Sequence, residues 1–214
     1  TTSSADGAVV VRAGGGCGLA RLSLRCAESG LTGLEFGCGI PGTVGGAVVM
    51  NAGAWGQDIS AILRSVTVVT PGGEETIPRD NLGFSYRRWD GWERYQGMAV
   101  VAEVELSLRR GEVAAIKAQC KMMQEKRKAS QPHEYASAGS FFKNPPHDSA
   151  GRLIEASGLK GMIFGGAMVS ELHGNFLVNR GGATAGDVLH LMKVIQEKVK
   201  KDWGVVLEPE VHCI

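Results

Sequence analysis

Cysteine is scarce in this sequence, and it is not spaced for a metal site or a disulfide framework. The 214 residues include 5 cysteines, an odd number without any CxxC pair, which is typical of reduced thiols in a reducing compartment. The sequence therefore predicts free thiols and no zinc or other metal site. The cysteines are Cys17, Cys26, Cys38, Cys120 and Cys213.

Long apolar runs and an excess of charge of one sign are also lacking. No apolar stretch reaches the roughly 18 residues of a membrane span, and the first residues lack the basic start and apolar core of a signal peptide. The 23 Lys and Arg balance 22 Asp and Glu, which argues against nucleic acid as the main partner. We expect a soluble chain in the cytoplasm, or in an organelle stroma or matrix if a targeting segment was removed before residue 1.

Glycine, in contrast, is abundant, with 31 residues, about twice the ~7% average usage. The stretch 36–56, "FGCGIPGTVGGAVVMNAGAWG", predicts irregular, buried backbone whose free N–H groups could lie against a pyrophosphate or a flavin edge. A shorter cluster, 14–18, lacks the GxGxxG spacing and fits a tight turn between a strand and a helix.

Hydrophobic periodicity predicts a mixture of strands and helices. The first two thirds read as a strand, a turn and a helix over 7–30, a hairpin over 62–78 and a strand over 97–111, which together predict a meandering antiparallel sheet. The remainder reads as a helix over 112–130, a loop over 130–148 and a helix over 149–158. Strands follow near 167–170 and 175–179, and then a helix that begins at Thr184 with a capping box to Asp187. The chain closes with a terminal strand that places Glu208 and Glu210 on one face.

Four side chains are candidates for chemistry, and each has a plainer alternative. Ser140, in "SAGSFFKNP", could donate a proton in a site that its phenylalanine neighbours shield, or it could lie in a loop anchored to the core. Arg87, in "FSYRRW", has the forked donors suited to a carboxylate or phosphate, although such pairs are often surface packing. Glu210 could be catalytic or face solvent. His173 is better explained by a structural hydrogen bond than by catalysis or metal binding.

Five motifs taken in order resemble one known family. The stretches "GIPGTVGGAVVMNAGAWG", "FSYRRW", "SAGSFFKNP", "GGAMVSELHGNFLVNRGGATAGDV" and "LEPEV" closely resemble the UDP-N-acetylenolpyruvoylglucosamine reductase (MurB) family from about residue 8 to the end. The resemblance implies an α+β fold. A partial FAD-binding mixed-sheet domain of the PCMH/vanillyl-alcohol-oxidase-like type would comprise 1–129, with 205–214 returning to it, and a MurB-type α+β substrate-binding domain would comprise 130–204.

The family's activity sets the expected function. The resemblance implies a flavoprotein oxidoreductase in which NADPH reduces FAD, and FAD then reduces the enolpyruvyl group of a UDP-sugar substrate to give UDP-N-acetylmuramate. This reaction belongs to peptidoglycan synthesis, and therefore to cell wall biogenesis, cell shape and the cell cycle. The expected cofactors are FAD and NADPH.

The resemblance also assigns roles by position. Ser140 would be the general acid, and Arg87 and Glu210 would be the pair that stabilises the enolate-like intermediate. Tyr86, Lys143 and Asn144 would contact or position the substrate. The cofactor-binding residues would be Ile40, Pro41, Gly42, Gly45, Gly46, Asn51, Ala52 and Gly53.

Two departures from the family pattern qualify this assignment. The short route from Arg88 to Ser130 indicates the branch without the substrate-clamping tyrosine loop. The family's first FAD-binding segment, with its "GGGSN"-like loop, is expected to be absent, so an upstream segment or a second chain would complete the flavin site. Two other hypotheses therefore stay open, a catalytically retired domain with a structural or interaction role and a UDP-sugar-binding module without redox chemistry.

Overall fold

The computed structural model describes residues 2–3 and 7–212, and divides the chain into two compact units, Thr1–Lys126 and Arg127–Ile214. The predicted thiol of Cys213 lies outside the described residues. Both units combine helices with antiparallel sheets, so the predicted α+β class is confirmed.

The first unit is built on a six-stranded antiparallel sheet and helices beside it. The sheet order is β1-β2-β10-β6-β7, and β3 also pairs with β10. In chain order the strands and helices are β1 (Thr2–Ser3), β2 (Val9–Gly14), α1 (Leu19–Glu28), β3 (Leu31–Thr32), α2 (Val44–Val49), β4 (Gly53–Ala54), β5 (Gln57–Asp58), β6 (Leu63–Thr70), β7 (Gly73–Pro78), β8 (Gly83–Ser85), β9 (Arg88–Asp90), β10 (Val100–Arg110) and α3 (Val113–Ser130), which contains the boundary. Short 3₁₀ turns cover Glu35–Gly37, Ile59–Ala61, Arg79–Asn81 and Trp92–Tyr95.

The long strand β10 organises this sheet, because it pairs with β2 on one side and β6 on the other. The predicted antiparallel pairing is confirmed, but the sheet is not a simple meander, since β10 lies between β2 and β6. Val101 and Val104 are both buried although they are three positions apart, an odd spacing that would place them on opposite faces of a regular strand. A β-bulge between Val101 and Glu103 explains this change of phase.

The glycine-rich stretch 36–56 is more regular than its composition predicts. It contains the helix α2 and the short hairpin of β4 and β5. Thr43 caps α2, since its side chain accepts a hydrogen bond from the Gly46 N–H (3.2 Å). Tertiary packing and this cap outweigh the low helix propensity of Gly45 and Gly46.

The second unit contains a four-stranded antiparallel sheet in the order β11-β14-β13-β12, together with two helices. Its core includes Phe142, Ile154, Leu191, Ile195 and Val199, all fully buried. The elements are β11 (Ala136–Ser140), α4 (Ala150–Ala156), β12 (Ile163–Phe164), β13 (Ala167–Val169), β14 (Phe176–Asn179) and α5 (Ala185–Trp203).

The beginning of α5 confirms the capping box. The Asp187 N–H donates to Thr184 Oγ1 (3.2 Å), and the Thr184 N–H donates to Asp187 Oδ2 (2.9 Å). Gly204, in the left-handed conformation (φ 70°), ends the helix.

Two expectations for this unit are wrong. The stretch 130–148 is not a continuous loop, because β11 pairs with β14 as an edge strand. Residues 205–212 do not form a strand with Glu208 and Glu210 on one face, and only an isolated bridge joins Pro209 to Phe142. Two hydrogen bonds flank this bridge, from the Lys143 N–H to the Glu208 carbonyl and from the Glu210 N–H to the Phe141 carbonyl, and the pairing does not continue beyond them among the described residues.

The predicted return of 205–214 to the first domain also differs from the packing of the described residues. Leu207 is buried in the core of the second unit, and the Glu208 carbonyl accepts from the Lys143 N–H (2.8 Å). The assignment of a flavin domain and a substrate domain stays a prediction.

Candidate functional site

Two glycine turns of the first unit stack backbone to backbone. The Gly15 N–H donates to the Ala102 carbonyl (2.7 Å), and the Gly15 carbonyl accepts from the Gly45 N–H (2.8 Å). A Cβ on Gly15 would lie 1.8 Å from the Val101 carbonyl oxygen, and one on Gly45 would lie 3.2 Å from the Gly15 oxygen. Glycine is required at position 15 because a side chain there would collide with the backbone of β10, and a side chain at position 45 would crowd the turn 14–18.

The exposed part of the glycine-rich segment consists mainly of residues with small side chains. Of the predicted cofactor-binding residues, Pro41, Gly42 and Gly46 are exposed, whereas Gly45 is buried and Ile40 and Ala52 pack against the core. Most N–H groups at the start of α2 are already used, since Val44 donates to Cys17 and Gly46 donates to Thr43. The predicted free N–H groups are therefore limited to part of the stretch. Within the described ranges, the N–H groups of Gly42 and Thr43 have no protein acceptor.

Asn51 connects the glycine-rich segment to the loop that carries Arg87. Its side chain is buried, with Nδ2 donating to the Ser85 carbonyl (3.0 Å) and Oδ1 accepting from the Ser60 N–H (3.3 Å). Asn51 itself is in the left-handed region (φ 41°), which asparagine tolerates better than most residues. Both polar atoms of the Asn51 side chain therefore have hydrogen-bond partners within the first unit.

Arg87 is held by backbone carbonyls of the same segment. Its guanidinium donates to the carbonyl oxygens of Asn51 (3.4 Å) and Gly53 (2.8 Å) and lies 4.8 Å from the ring centroid of the exposed Tyr86. Arg87 also has φ 56°, a conformation that costs a non-glycine residue roughly 1–3 kcal/mol. These contacts hold the positive charge of Arg87 beside the glycine-rich segment. The role of Tyr86 in positioning Arg87 stays a prediction.

Ser140 ends the edge strand β11 of the second unit. A register irregularity separates the Ser137 and Ser140 pairs with β14, and Gly139, in the left-handed region (φ 86°), allows the change of direction. Ser140 is half-buried, and its hydroxyl has no hydrogen-bond partner among the residues described. Its proton is therefore not committed to another protein group.

The two phenylalanines after Ser140 are core anchors. Phe141 and Phe142 are buried, and their ring centroids lie 5.2 Å apart. The end of the strand is thus anchored in the core while Ser140 stays half-buried, and its role as a proton donor stays a prediction. The Glu210 N–H donates to the Phe141 carbonyl (2.9 Å), so the structure brings Ser140 and Glu210 to one segment.

The sequence reasoning missed Asn175, which lies between His173 and β14. It is buried, and its side chain bonds both backbone groups of Phe142, accepting from the N–H (2.9 Å) and donating to the carbonyl (2.8 Å). The only sequence signal was a polar amide preceding the apolar run of β14. Its partner is 33 residues away.

His173 has the structural role that the sequence favoured. Its Nδ1 accepts from the Asn175 N–H (3.1 Å), and its ring meets Phe176 edge-on. Burial lowers the pKa of His173, with Lys160 nearby as a second cause. A neutral imidazole suits an acceptor at Nδ1.

Lys143 and Asn144 have partners inside the second unit. Lys143 Nζ forms an ion pair with Glu208 Oε1 (2.5 Å). Asn144 Oδ1 accepts from the Ala150 N–H (3.0 Å) at the start of α4. Their expected substrate contacts stay predictions.

Neither a membrane-spanning helix nor a metal cluster is present in the part of the chain that the structure describes. None of its helices is both long and apolar enough to cross a bilayer. No group of three or more His, Cys, Asp or Glu side chains there could hold a metal ion. The described cysteines are free, and Cys38 Sγ lies 2.8 Å from Cys120 Sγ in the core of the first unit.

Comparison with known families defines the class of protein. Residues 3–77 match the model of the FAD binding domain, and residues 131–214 match the model of the UDP-N-acetylenolpyruvoylglucosamine reductase C-terminal domain. The fold is therefore that of a two-part flavoprotein of this kind.

Individual relatives agree with these matches. The chain is 49% identical to UDP-N-acetylenolpyruvoylglucosamine reductase 2 of Symbiobacterium thermophilum, over 96% of this chain and 66% of that protein. It is 43% identical to the Bacillus velezensis reductase, over 95% and 67%. The crystal structure of MurB from Thermus caldophilus superposes with a TM-score of 0.83 at 39% identity, over 94% of this chain and 71% of that one.

The chain belongs to the UDP-N-acetylenolpyruvoylglucosamine reductase (MurB) family. It spans about two thirds of the length of the curated relatives that it matches.

Proposed function

We propose that this chain is the larger part of an FAD-dependent, NADPH-linked reductase that converts the enolpyruvyl ether of UDP-N-acetylglucosamine to UDP-N-acetylmuramate. One observation carries the proposal. Ser140, with an uncommitted hydroxyl, and Glu210 are held by the same short segment, since the Glu210 N–H donates to the Phe141 carbonyl (2.9 Å). The names of the relatives support the same reaction. The alternative of a retired structural domain has no comparable support.

The first unit has groups that suit FAD. Pro41, Gly42 and Gly46 form an exposed edge with little side chain, and the N–H groups of Gly42 and Thr43 can donate to a phosphate or a flavin oxygen. Arg87 adds a fixed positive charge beside this segment. When bound, FAD supplies the hydride that it takes from NADPH.

Ser140 would donate the proton. Reduction of the enolpyruvyl double bond leaves negative charge on the carbon next to the substrate carboxylate, and Ser140 Oγ would protonate that carbon. Gly139 and the buried phenylalanines hold the serine at the end of β11.

Arg87 would stabilise the enolate-like charge before protonation, and Glu210 would assist as a neutral carboxylic acid whose O–H donates to the developing oxyanion. The guanidinium of Arg87 is preorganised by the Asn51 and Gly53 carbonyls, so little reorganisation is needed when charge develops. Tyr86, Lys143 and Asn144 would contact or position the UDP-sugar, and Lys143 would exchange its Glu208 partner for a substrate oxygen.

The remaining assignments follow from this reaction. We place the protein in the cytoplasm, in peptidoglycan precursor synthesis, with the consequences for cell shape and the cell cycle that this pathway implies. The rest of the flavin site would come from sequence that the longer relatives contain, or from a second chain. The enzyme would belong to the branch without the clamping tyrosine loop.

The test separates the two half-reactions in the whole gene product. Ser140→Ala should leave flavin reduction by NADPH unchanged and slow reoxidation by the enolpyruvyl substrate about 10²–10⁴-fold, which is the usual contribution of a general acid. Ser137→Ala, which removes an exposed hydroxyl from the same strand together with its long bond from the Gly139 N–H (3.4 Å), is the matched control; because Phe141 and Phe142 still anchor the strand end, it should change neither step. Reoxidation of the Ser140→Ala enzyme at the wild-type rate would refute the assignment, and loss of both steps would show a structural role.

A further inference from the structure

We propose that Asn175 is a positioning residue that holds Ser140 and Glu210 in their working arrangement. This inference rests on the proposed function, because it names the group that places the proposed proton donor. Asn175 touches neither candidate catalytic side chain in the structure, and it acts through the backbone of Phe141 and Phe142.

Three hydrogen bonds join Asn175 to this two-residue segment. Its side chain accepts from the Phe142 N–H (2.9 Å) and donates to the Phe142 carbonyl (2.8 Å), and its own carbonyl accepts from the Phe141 N–H (2.8 Å). With 3% exposure, Asn175 has little access to solvent. Its amide is therefore committed to the segment.

The amide replaces a missing neighbour in the sheet. Pairing between β11 and β14 ends at Ser140 and Phe176, after the irregularity that follows Ser137. A carboxamide carries one carbonyl and one N–H₂ group with nearly the spacing of a peptide unit. The Asn175 backbone carbonyl thus extends the ladder to Phe141, and its side chain extends it to Phe142, two residues beyond Ser140, where the strand would otherwise lose its partner.

The opposite edge of the same segment holds Glu210. The Phe141 carbonyl accepts from the Glu210 N–H (2.9 Å), and the Lys143 N–H donates to the Glu208 carbonyl (2.8 Å). The Phe141 peptide groups thus link Asn175 on one side to Glu210 on the other. A shift of this segment would move Ser140 and Glu210 together.

Neither aspartate nor alanine can make both side-chain bonds of Asn175. Aspartate keeps the acceptor for the Phe142 N–H but cannot donate to its carbonyl at neutral pH, and alanine loses both bonds. The phenylalanine rings hold the segment against the core, but apolar contact is not directional. The backbone hydrogen bonds therefore set the position of Ser140 at the scale that proton transfer needs, where a 1 Å error can cost about 10²-fold in rate.

The experiment compares Asn175→Asp, Asn175→Ala and a control variant in the whole gene product. Ser157→Ala is the control, because it removes another buried polar group of the second unit, the acceptor of the Trp203 Nε1–H bond (3.0 Å), without altering a hydrogen bond to Phe141 or Phe142. Two quantities are measured. One is hydrogen exchange in peptides that cover 138–144 and 206–212, and the other is the rate of each half-reaction.

We expect faster exchange in both peptides and about 10²-fold slower substrate reduction for Asn175→Ala, with unchanged flavin reduction by NADPH. Asn175→Asp should show at least as large an effect on both, because a buried carboxylate oxygen would face the Phe142 carbonyl oxygen without a proton between them. Ser157→Ala should change neither measurement in this region. If neither Asn175 variant folds, Asn175→Gln, which keeps the carboxamide on a longer side chain, decides by the same readouts.

Two results would overturn the proposal. Unchanged exchange at 138–144 would show that Asn175 does not hold the segment, and faster exchange with wild-type substrate reduction would show a purely structural role. If the wild-type protein has no reductase activity, the proposed function fails. The exchange experiment then still decides whether Asn175 fixes the Ser140 and Glu210 segments.

Discussion

A pair of adjacent glycines provides a sharp test of how the first unit is packed. Gly15 is buried and Gly16 is exposed. A Cβ on Gly15 would lie 1.8 Å from the Val101 carbonyl oxygen, a backbone atom that cannot rotate away, whereas a Cβ on Gly16 would meet no atom within 4 Å. Gly15→Ala and Gly16→Ala are the same chemical change one residue apart, and they should have opposite outcomes.

The cost of Gly15→Ala can be worked from its contacts. The turn must move by more than 1 Å to accept the methyl group, which breaks or lengthens the bonds from Gly15 to Ala102 (2.7 Å) and from Gly45 to Gly15 (2.8 Å). Two backbone hydrogen bonds contribute about 1–3 kcal/mol together, and an overpacked site costs about 1–3 kcal/mol more. We expect a loss of about 2–6 kcal/mol, a large part of a typical domain's stability.

Gly16→Ala should lie between no change and a gain of about 1 kcal/mol, because alanine restricts the unfolded chain without a clash in the native state. Urea unfolding followed by tryptophan fluorescence measures both variants. Both variants are made with Trp203→Phe, which removes the tryptophan of the second unit. The fluorescence then reports on the first unit, where the other three tryptophans lie, Trp55, Trp89 and Trp92. If Gly15→Ala unfolds within about 0.5 kcal/mol of Gly16→Ala, the stacking of the two glycine turns is wrong.

Two further predictions concern one buried amide and one half-buried carboxylate. Asn51→Leu should lower the free energy of unfolding by about 1–3 kcal/mol, because the Ser85 carbonyl loses its Nδ2–H donor. Urea unfolding checks this, and a loss below about 0.5 kcal/mol would contradict it. The pKa of Asp148 is lowered from 3.8 to about 2, first by the Arg152 guanidinium and then by the Ser149 N–H. Because the folded pKa lies below the ordinary value, the stabilisation is present above about pH 4 and is lost as pH falls towards 2. Arg152→Gln should raise the pKa of Asp148 in a carboxyl NMR titration, and an unchanged midpoint would exclude Arg152 as the main cause.

Local signals predicted several elements well. The capping box of Thr184 and Asp187 marked the start of α5 because both partners lie within one helical turn. The alternation in β10 predicted a strand, and Val101, Val104, Leu106 and Leu108 are buried as expected. The bulge that brings Val101 into phase was not predicted, because it arises from pairing with β6.

The failures share one physical cause, which is contact between residues that are distant in sequence. The helix α2 was taken for irregular backbone because its stability depends on the distant turn at Gly15. The strand predicted for the C-terminus was wrong because its pairing is limited to one isolated bridge, between Pro209 and Phe142, which are distant in sequence. Asn175 was missed because nothing near it in the sequence indicates that it bonds Phe142.

The sequence by itself determined the α+β class, the glycine-rich segment, most helices and strands, and, through ordered motifs, the family. Caps, turns and hydrophobic periods depend on neighbours within a few residues, so they can be read along the chain. Only the tertiary structure decided that Asn51 links the glycine-rich segment to the loop of Arg87, and that Asn175 joins the segments of Ser140 and Glu210. These arrangements depend on hydrogen bonds between groups that only folding brings together.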